Sequence, residues 1–340
     1  MNEVSTVGLD IAKKVFQVHG VDAAGVVKVR RSLRRSQVVK WFAKLAPPCL
    51  IGLEACATSH YWARELRKLG HEVRLIPPAY AKAYVRRNKN DAADAAGICE
   101  AVSRPGMRFV AIKTEAQQAI GGVHKVRALL LKQRIMLINH LRGLMAEFGH
   151  VVATGPQHVG ELLAMLADPE EGSLVEPLRG ALLGLTEVLR GLERRIEAID
   201  RQIVAWGHSN TTYRHLITIP GYGPIVASAV AALVTDPTTF RSGRDFSASL
   251  GLVPRQDGTG GRVKLGPISK RGNGYLRRLL VNGAMSALRS KWARQDPWIA
   301  KLLADKPRKL AAVALANKLA RIGWAIMMRQ EDFRTQPAAA

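Results

Sequence analysis

From Leu178 to Trp206 apolar side chains recur in steps of four and three without a break: Leu178, Leu182, Leu185, Leu189, Leu192, Ile196, Ile199, Ile203 and Trp206. No strand can use that spacing, because alternate residues of a strand face opposite ways. It predicts a helix of four heptads beginning just after Pro177, with an apolar seam that has to be covered. A second helical segment, Thr114–Phe148, carries a looser stripe at Val123, Val126, Leu130, Leu137, Leu141, Leu144 and Phe148. The seam can therefore close on that helix within one chain or on a second copy of the chain, and the pattern favours neither.

Upstream the period changes. Val4–Asp10, Val15–Val21 and Val26–Arg31 are short β-branched runs, with Asp22–Gly25 as the second turn, and they read as an antiparallel meander. A helix over Ser36–Leu45, a strand over Cys49–Glu54, a helix over Ser59–Leu69 and a strand over Glu72–Ile76 follow, the last stopped by Pro77-Pro78. The order βββαβαβ plus a helix is an α/β layer pattern, and after Arg104-Pro105-Gly106 helices take over.

Charge narrows the class of partner. Lys and Arg number 51 against 27 Asp and Glu, a formal charge of +24, yet 47% of residues are apolar and the basic residues are spread along the chain. This is the balance of a folded basic protein whose partner is a polyphosphate, since each neutralised phosphate releases a counterion. Cys49, Cys56 and Cys99 form no Cys-x-x-Cys pair, which fits a reducing compartment. The N-terminus lacks a signal-peptide pattern, and no uninterrupted apolar run approaches the roughly 18 residues of a membrane span, so a cytoplasmic protein without a membrane role is expected. Scattered histidines argue against zinc, and the absence of phosphate-loop and dinucleotide fingerprints argues against an NTPase or dehydrogenase.

The C-terminal third is helical and one-sidedly basic: Arg241 to Arg294 holds twelve Lys or Arg against Asp245 and Asp257. Ile217–Val234 has a Pro-Gly-x-Gly-Pro turn between helical patterns, resembling a helix-hairpin-helix whose backbone amides can hold a phosphate. The stretch GTGGRVKLGPISKRGNGYLRR reads as a glycine-rich loop that lets phosphates approach backbone. Arg255, Arg262, Lys264, Lys270, Arg271, Arg277 and Arg278 are its candidate nucleic-acid contacts.

Acids are scarce enough that their positions carry information. Asp10 and Glu54 each end an apolar strand, and Asp91 and Asp94 stand three apart at a helix start. Singly each has an ordinary explanation as a cap, a dipole partner or an ion-pair partner. Together they can converge, and four converging carboxylates repel unless divalent cations bind between them, the arrangement of two-metal phosphoryl transfer.

The segments GLDIAKK, LEACATSH, KNDAADA, IPGYGP and LGLVPRQDGTGGRVKLGPISKRGNGYLRRLLVNGA resemble, in order and over nearly the full length, the RNA-guided (bridge RNA) insertion-sequence transposases, relatives of the pilin-gene invertase. The resemblance implies an RNase H/RuvC-like domain with an Asp-Glu-Asp-Asp set, a helical coiled-coil connector and a C-terminal transposase domain. On this chain these would be residues 1–112, 113–208 and 209–332, with 333–340 as a disordered tail. It further implies that Asp10, Glu54, Asp91 and Asp94 bind Mg2+, with Mn2+ as a substitute. The family's nucleophilic serine falls on Thr259 by motif position; Ser269 is the fallback. The implied partners are element and target DNA, a structured non-coding guide RNA, and further copies of the chain in dimers that pair into a tetramer. Residue reasoning keeps two alternatives open: a RuvC-like junction nuclease that uses water, and a nucleic-acid-binding protein whose catalytic set has decayed.

Overall fold

The computed structural model describes residues 3–46, 48–84, 91–168, 174–259 and 262–334, without the side chains of Asp91, Thr259 and Val263. By contact these group into two compact units, one running to residue 117 together with 234–241, the other comprising 118–233 and the chain from 242 onward.

The first unit is built on a five-stranded sheet of β1 (Thr6–Asp10), β2 (Val15–Val21), β3 (Val27–Arg34), β4 (Leu50–Glu54) and β5 (Glu72–Ile76) in the order β3-β2-β1-β4-β5. β1, β2 and β3 are the expected antiparallel meander, while β4 and β5 run parallel to β1. The parallel pairs require crossovers. Helices α1 (Val38–Phe42) and α2 (Ser59–Lys68) supply them, and α3 (Pro78–Ala81) leads to α4 (Asp91–Val102). This α/β sheet agrees with the expected RNase H-like N-terminal domain.

Alternation gives the sheet two unlike faces. Val7, Leu9, Phe16, Val18, Leu33, Ile51, Leu53, Val73 and Leu75 face one way and share a core with Trp41, Phe42, Trp62 and Leu66 of α1 and α2. Phe16 meets Trp62 edge to face at 5.0 Å. The opposite face receives α4, which can lie so low only because β1 and β4 carry glycines there. A Cβ on Gly8 would sit 2.1 Å from the Ala95 carbonyl oxygen, and one on Gly52 2.8 Å from Val102.

The second unit is helical: α5 (Glu115–Ala146), whose first turn lies in the first unit, α6 (Val159–Ala167), α7 (Leu178–His208), α8 (Thr211–Leu216), α9 (Pro224–Leu233) and α10 (Gly243–Ser249), then the ribbon β6 (Pro254–Thr259) and β7 (Arg262–Ile268), then α11 (Gly274–Ala287), α12 (Lys291–Gln295), α13 (Pro297–Asp305) and α14 (Arg308–Arg329). The unbroken stripe of α7 is buried within this chain. Leu182 and Leu189 join Ile138, Leu141 and Met145 of α5 and Leu162 and Leu166 of α6, and Ile203 joins Ile120. Ion pairs Arg127–Asp200 and Arg134–Glu193 show that α5 and α7 run antiparallel.

The looser stripe is corrected at two places: Val126 is 50% and Phe148 39% exposed, while Ile120, Ile138 and Met145 are buried. Apolar residues recur on more than one face of α5, so periodicity alone did not select the packed one. The expected tail also needs correction at its first residue. Phe333 donates its backbone N–H to Thr218 Oγ1 at 2.8 Å and packs on Trp292, and Asp332 meets His215 at 2.8 Å; residues 335–340 lie outside those described. α14 is long and apolar enough to cross a bilayer by length and composition. Its buried Ala312, Leu315, Ala316, Leu319 and Ala320 account for that apolarity as a core helix.

Candidate active site and nucleic-acid surfaces

Two of the four expected carboxylates end neighbouring parallel strands. β1 and β4 pair Gly8 with Gly52 and Leu9 with Leu53, so the next residues in register are Asp10 and Glu54. Both belong to the alternate set that includes Gly8 and Gly52, hence to the α4 face. Asp94 lies in the first turn of α4, next to Ala95, whose carbonyl rests on Gly8 two residues before Asp10. Asp91 opens the same helix, and its side chain lies outside the described residues. The thiol of Cys56 reports the local field: desolvation of its sulfur, then the Glu54 and Asp10 carboxylates, push its pKa above the usual thiol range.

The donors are carboxylate oxygens, the ligand type that hard divalent cations take. Among the described residues no group of three or more His, Cys, Asp and Glu side chains is arranged to hold a metal ion. Cations crowd this end of the sheet. Lys13, Lys14, Arg34 and Arg35 line a cavity of about 780 Å³ with Tyr61 and Trp62, and the Arg35 guanidinium stands 5.1 Å from the Trp62 ring centre.

In the second unit the glycine-rich stretch is an antiparallel ribbon, not a loop: Thr259 pairs with Arg262 at its end and Gln256 with Leu265. The alternation Arg262-Val263-Lys264-Leu265 after Thr-Gly-Gly was the available signal, and Pro-Arg-Gln-Asp-Gly before it carried none. Arg255, Arg262 and Lys264 are exposed on the ribbon, with Leu265 65% exposed, so the strands pack on little else. Thr259 closes β6, and Ser269 follows β7 with its N–H donated to Val253 O.

The segment Lys270–Asn273 interlocks with the Gly-Leu-Val-Pro corner. Lys270 N–H donates to Gly251 O, and a Cβ on Gly272, at φ 71°, would lie 1.8 Å from Ser249 O. Arg277 holds this corner shut by donating from Nη1 to Leu250 O and Arg271 O, both at 2.9 Å. Its guanidinium is thus engaged with the protein's own backbone, unlike Lys270 and Arg271, which are exposed. Arg278 lies over the Tyr275 ring at 5.6 Å.

The Pro-Gly-Tyr-Gly-Pro turn connects α8 to α9 as expected, but it is used for packing. Gly221, at φ 88°, would bring a Cβ 2.7 Å from Gly283 O of α11, and buried Tyr222 donates to Leu319 O of α14 at 3.2 Å.

Sequence reasoning missed a buried polar cluster beside these elements. His124 of α5, 1% exposed, lies 3.0 Å from Tyr275 Oη and 3.2 Å from Ser228 Oγ of α9. Burial first, then Arg127, pushes its pKa down to about 4, against a smaller upward pull from Asp200. The imidazole is therefore neutral near pH 7 and ties α5, α9 and α11 together. A lone histidine inside a helical stripe offered no sequence signal for this.

Comparisons with known proteins agree over both units. A family profile described as "Transposase IS116/IS110/IS902 family" matches residues 213–298, and a DEDD-type IS110 transposase profile matches residues 7–149. A Pseudomonas aeruginosa protein named "Probable family 20 transposase" is 48% identical over 336 residues, 97% of this chain and 99% of its own. The transposase for insertion sequence element IS1328 of Yersinia enterocolitica is 39% identical, covering 96% of this chain and 97% of its own. That for element IS1111A of Coxiella burnetii is 38% identical, covering 98% and 92% respectively.

Proposed function

Because the chain belongs to the IS116/IS110/IS902 family of insertion-sequence transposases, we propose that it cuts and rejoins DNA through a hydroxyl-linked protein–DNA intermediate, at sites chosen by a guide RNA. The observation that carries this reading is the pairing of Asp10 and Glu54 on one face at the ends of adjacent strands, with Asp94 in the helix laid over them.

Asp10, Glu54, Asp91 and Asp94 would hold Mg2+, or Mn2+ in its place, and the ion would supply positive charge to the oxygens of the scissile phosphate. The Thr259 hydroxyl attacks phosphorus while the bond to the leaving deoxyribose oxygen breaks. The hydroxyl proton passes to solvent and the leaving oxygen takes one up. One phosphodiester replaces another, so strands can be exchanged without ATP. Arg255, Arg262, Lys264, Lys270, Arg271 and Arg278 contribute phosphate contacts that are indifferent to sequence. Target and donor choice falls to base pairing with the RNA, for which the protein reads backbone shape. The working particle is a dimer or a pair of dimers. With the α7 stripe buried inside the chain, other surfaces would join the copies.

A junction nuclease is the second reading. Threonine at position 259 favours it, because a β-methyl crowds an in-line attack and leaves water as the nucleophile.

One experiment separates the two readings. Nicked substrate is incubated with protein and run on a denaturing gel. The transposase reading expects a protein band shifted by the attached strand, lost in Thr259→Ala and kept in Thr259→Ser. It also expects Asp10→Asn and Asp94→Asn to stop cleavage while DNA binding persists. Cleaved DNA without a linked species establishes the nuclease, and full recombination by Asp10→Asn removes the carboxylate centre.

A further inference from the structure

The sheet face that carries Asp10 and Glu54 is wider than the helix that covers it. α4 lies over β1, β2 and β4, where glycines of β1 and β4 admit it, and among the described residues it leaves the same face of β3 uncovered, with a groove along β2 between them. Register defines that open surface. Asp10 pairs with Gln17 and Gln17 with Ser32; Gly8 pairs with His19 and His19 with Arg30. Two cross-strand rows therefore run from β1 outward to the edge strand, and one of them starts at the Asp10 carboxylate.

A groove follows these rows. Its two lobes, about 430 and 560 Å³, share His19, Arg30, Ala93 and Ala96. The helix wall of the near lobe consists of the small residues Ala92, Ala93 and Ala96, and its sheet wall is mostly polar; in the far lobe Val21 and Val27 join His19 and Arg30 on the sheet side, and Cys99 and Glu100 join the helix side. Each lobe is of small-ligand size, room for a nucleotide and not for a double helix.

The chemistry of the sheet wall is that of an anion track. Among the described residues Arg30 meets no carboxylate, unlike Lys28 on the same strand, which is paired with Glu3 and Asp22. Gln17 accepts from Ser32 Oγ at 2.8 Å, which leaves its amide N–H groups to donate into the groove. Burial, with Arg30 beside it, holds the His19 pKa below the usual range, so near pH 7 the ring offers one donor and one acceptor. Glu100, the carboxylate at the far lobe, is neutralised by Arg104.

We propose that the groove between α4 and the β2–β3 face seats a single polynucleotide strand, its phosphates on Arg30 and its sugars and bases against Gln17, His19 and Ser32, on a path that ends at Asp10. The strand's role as substrate rests on the transposase reading, whereas its binding does not. A row of donors leading to the carboxylates would fix which phosphate arrives there, so the groove would set the cleavage register.

Photocrosslinking tests this without requiring catalysis. The full chain is incubated in EDTA with short single strands carrying 4-thiothymidine (DNA) or 4-thiouridine (RNA), irradiated, and the crosslinked peptides are identified. Crosslinks are expected in the peptides of β2, β3 and α4, with yields there falling at least fivefold in Arg30→Glu and in Ala96→Trp, which fills the groove, while crosslinks elsewhere persist. Labelling by the DNA probe assigns the groove to a DNA strand, and labelling by the RNA probe to an RNA strand. Asp94→Asn is expected to crosslink as the native chain does, so failure of the metal chemistry leaves this result standing. Absence of these peptides with both probes, or yields unchanged in both variants, overturns the proposal.

Discussion

The buried histidine makes a quantitative prediction. With its pKa at about 4 in the folded chain against 6.5 for an ordinary imidazole, His124 stays neutral over a range in which the unfolded chain takes up a proton. The sign follows directly. A depressed folded-state pKa contributes stability that is complete above about pH 6.5, declines as pH falls and levels off near pH 4. At about 1.4 kcal/mol per pH unit the loss amounts to about 3 kcal/mol, a large share of the stability of an ordinary domain. Carboxylates elsewhere also titrate here, so the informative quantity is the difference between native protein and His124→Gln, which keeps polar partners for Tyr275 and Ser228 but cannot protonate. Urea unfolding at pH 7.5, 6.5, 5.5 and 4.5 should show the native protein's advantage shrinking by about 3 kcal/mol over that series. A difference that stays constant to within about 0.5 kcal/mol would mean that His124 is accessible to protons and that its bonds to Tyr275 and Ser228 are not the fold's tie between α5, α9 and α11. Should His124→Gln fail to fold, Tyr275→Phe, which removes one of the two partners, should lower stability by about 1 kcal/mol at pH 7.5 in the same urea series.

Gly8→Ala should lower stability by about 1–3 kcal/mol and abolish strand cleavage, because its Cβ meets α4 backbone and must lift Asp94 away from Asp10. Gly122→Ala, with open space around it, should leave stability equal or higher in the same thermal melts. Arg277→Ala should lower the melting temperature by orphaning Leu250 O and Arg271 O while leaving the salt slope of DNA affinity unchanged. Lys264→Ala, exposed on the ribbon, should do the opposite: unaltered melting, and a slope of log affinity on log salt shallower by about 0.9. A steepness change in Arg277→Ala would return that residue to the phosphate contacts.

Local signals wrote much of this architecture into the chain. Period-two runs broken by turn residues place β1 to β5, with β2 and β5 matched at both ends and β3 running three residues past its expected end at Arg31, and steps of four and three fix α7, because backbone geometry converts spacing into faces whatever the rest of the molecule does. Asp10 and Glu54 were legible as strand-end acids for the same reason, although only the set of four acids pointed to a metal site. Tertiary structure decided what periodicity leaves degenerate. It put the α7 stripe against α5 and α6, buried Ile120 and Ile138 in place of Val126 and Phe148, and turned Arg277 from a candidate phosphate contact into a brace, since each choice depends on which surfaces are already occupied. It also joined His124 to Tyr275 across 151 positions, a contact that no local pattern encodes. The rows Asp10–Gln17–Ser32 and Gly8–His19–Arg30 lie between these cases. Their residues alternate visibly in sequence, but only strand register and the packing of α4, admitted by glycines of β1 and β4 and reaching across β2, leave a groove beside β3.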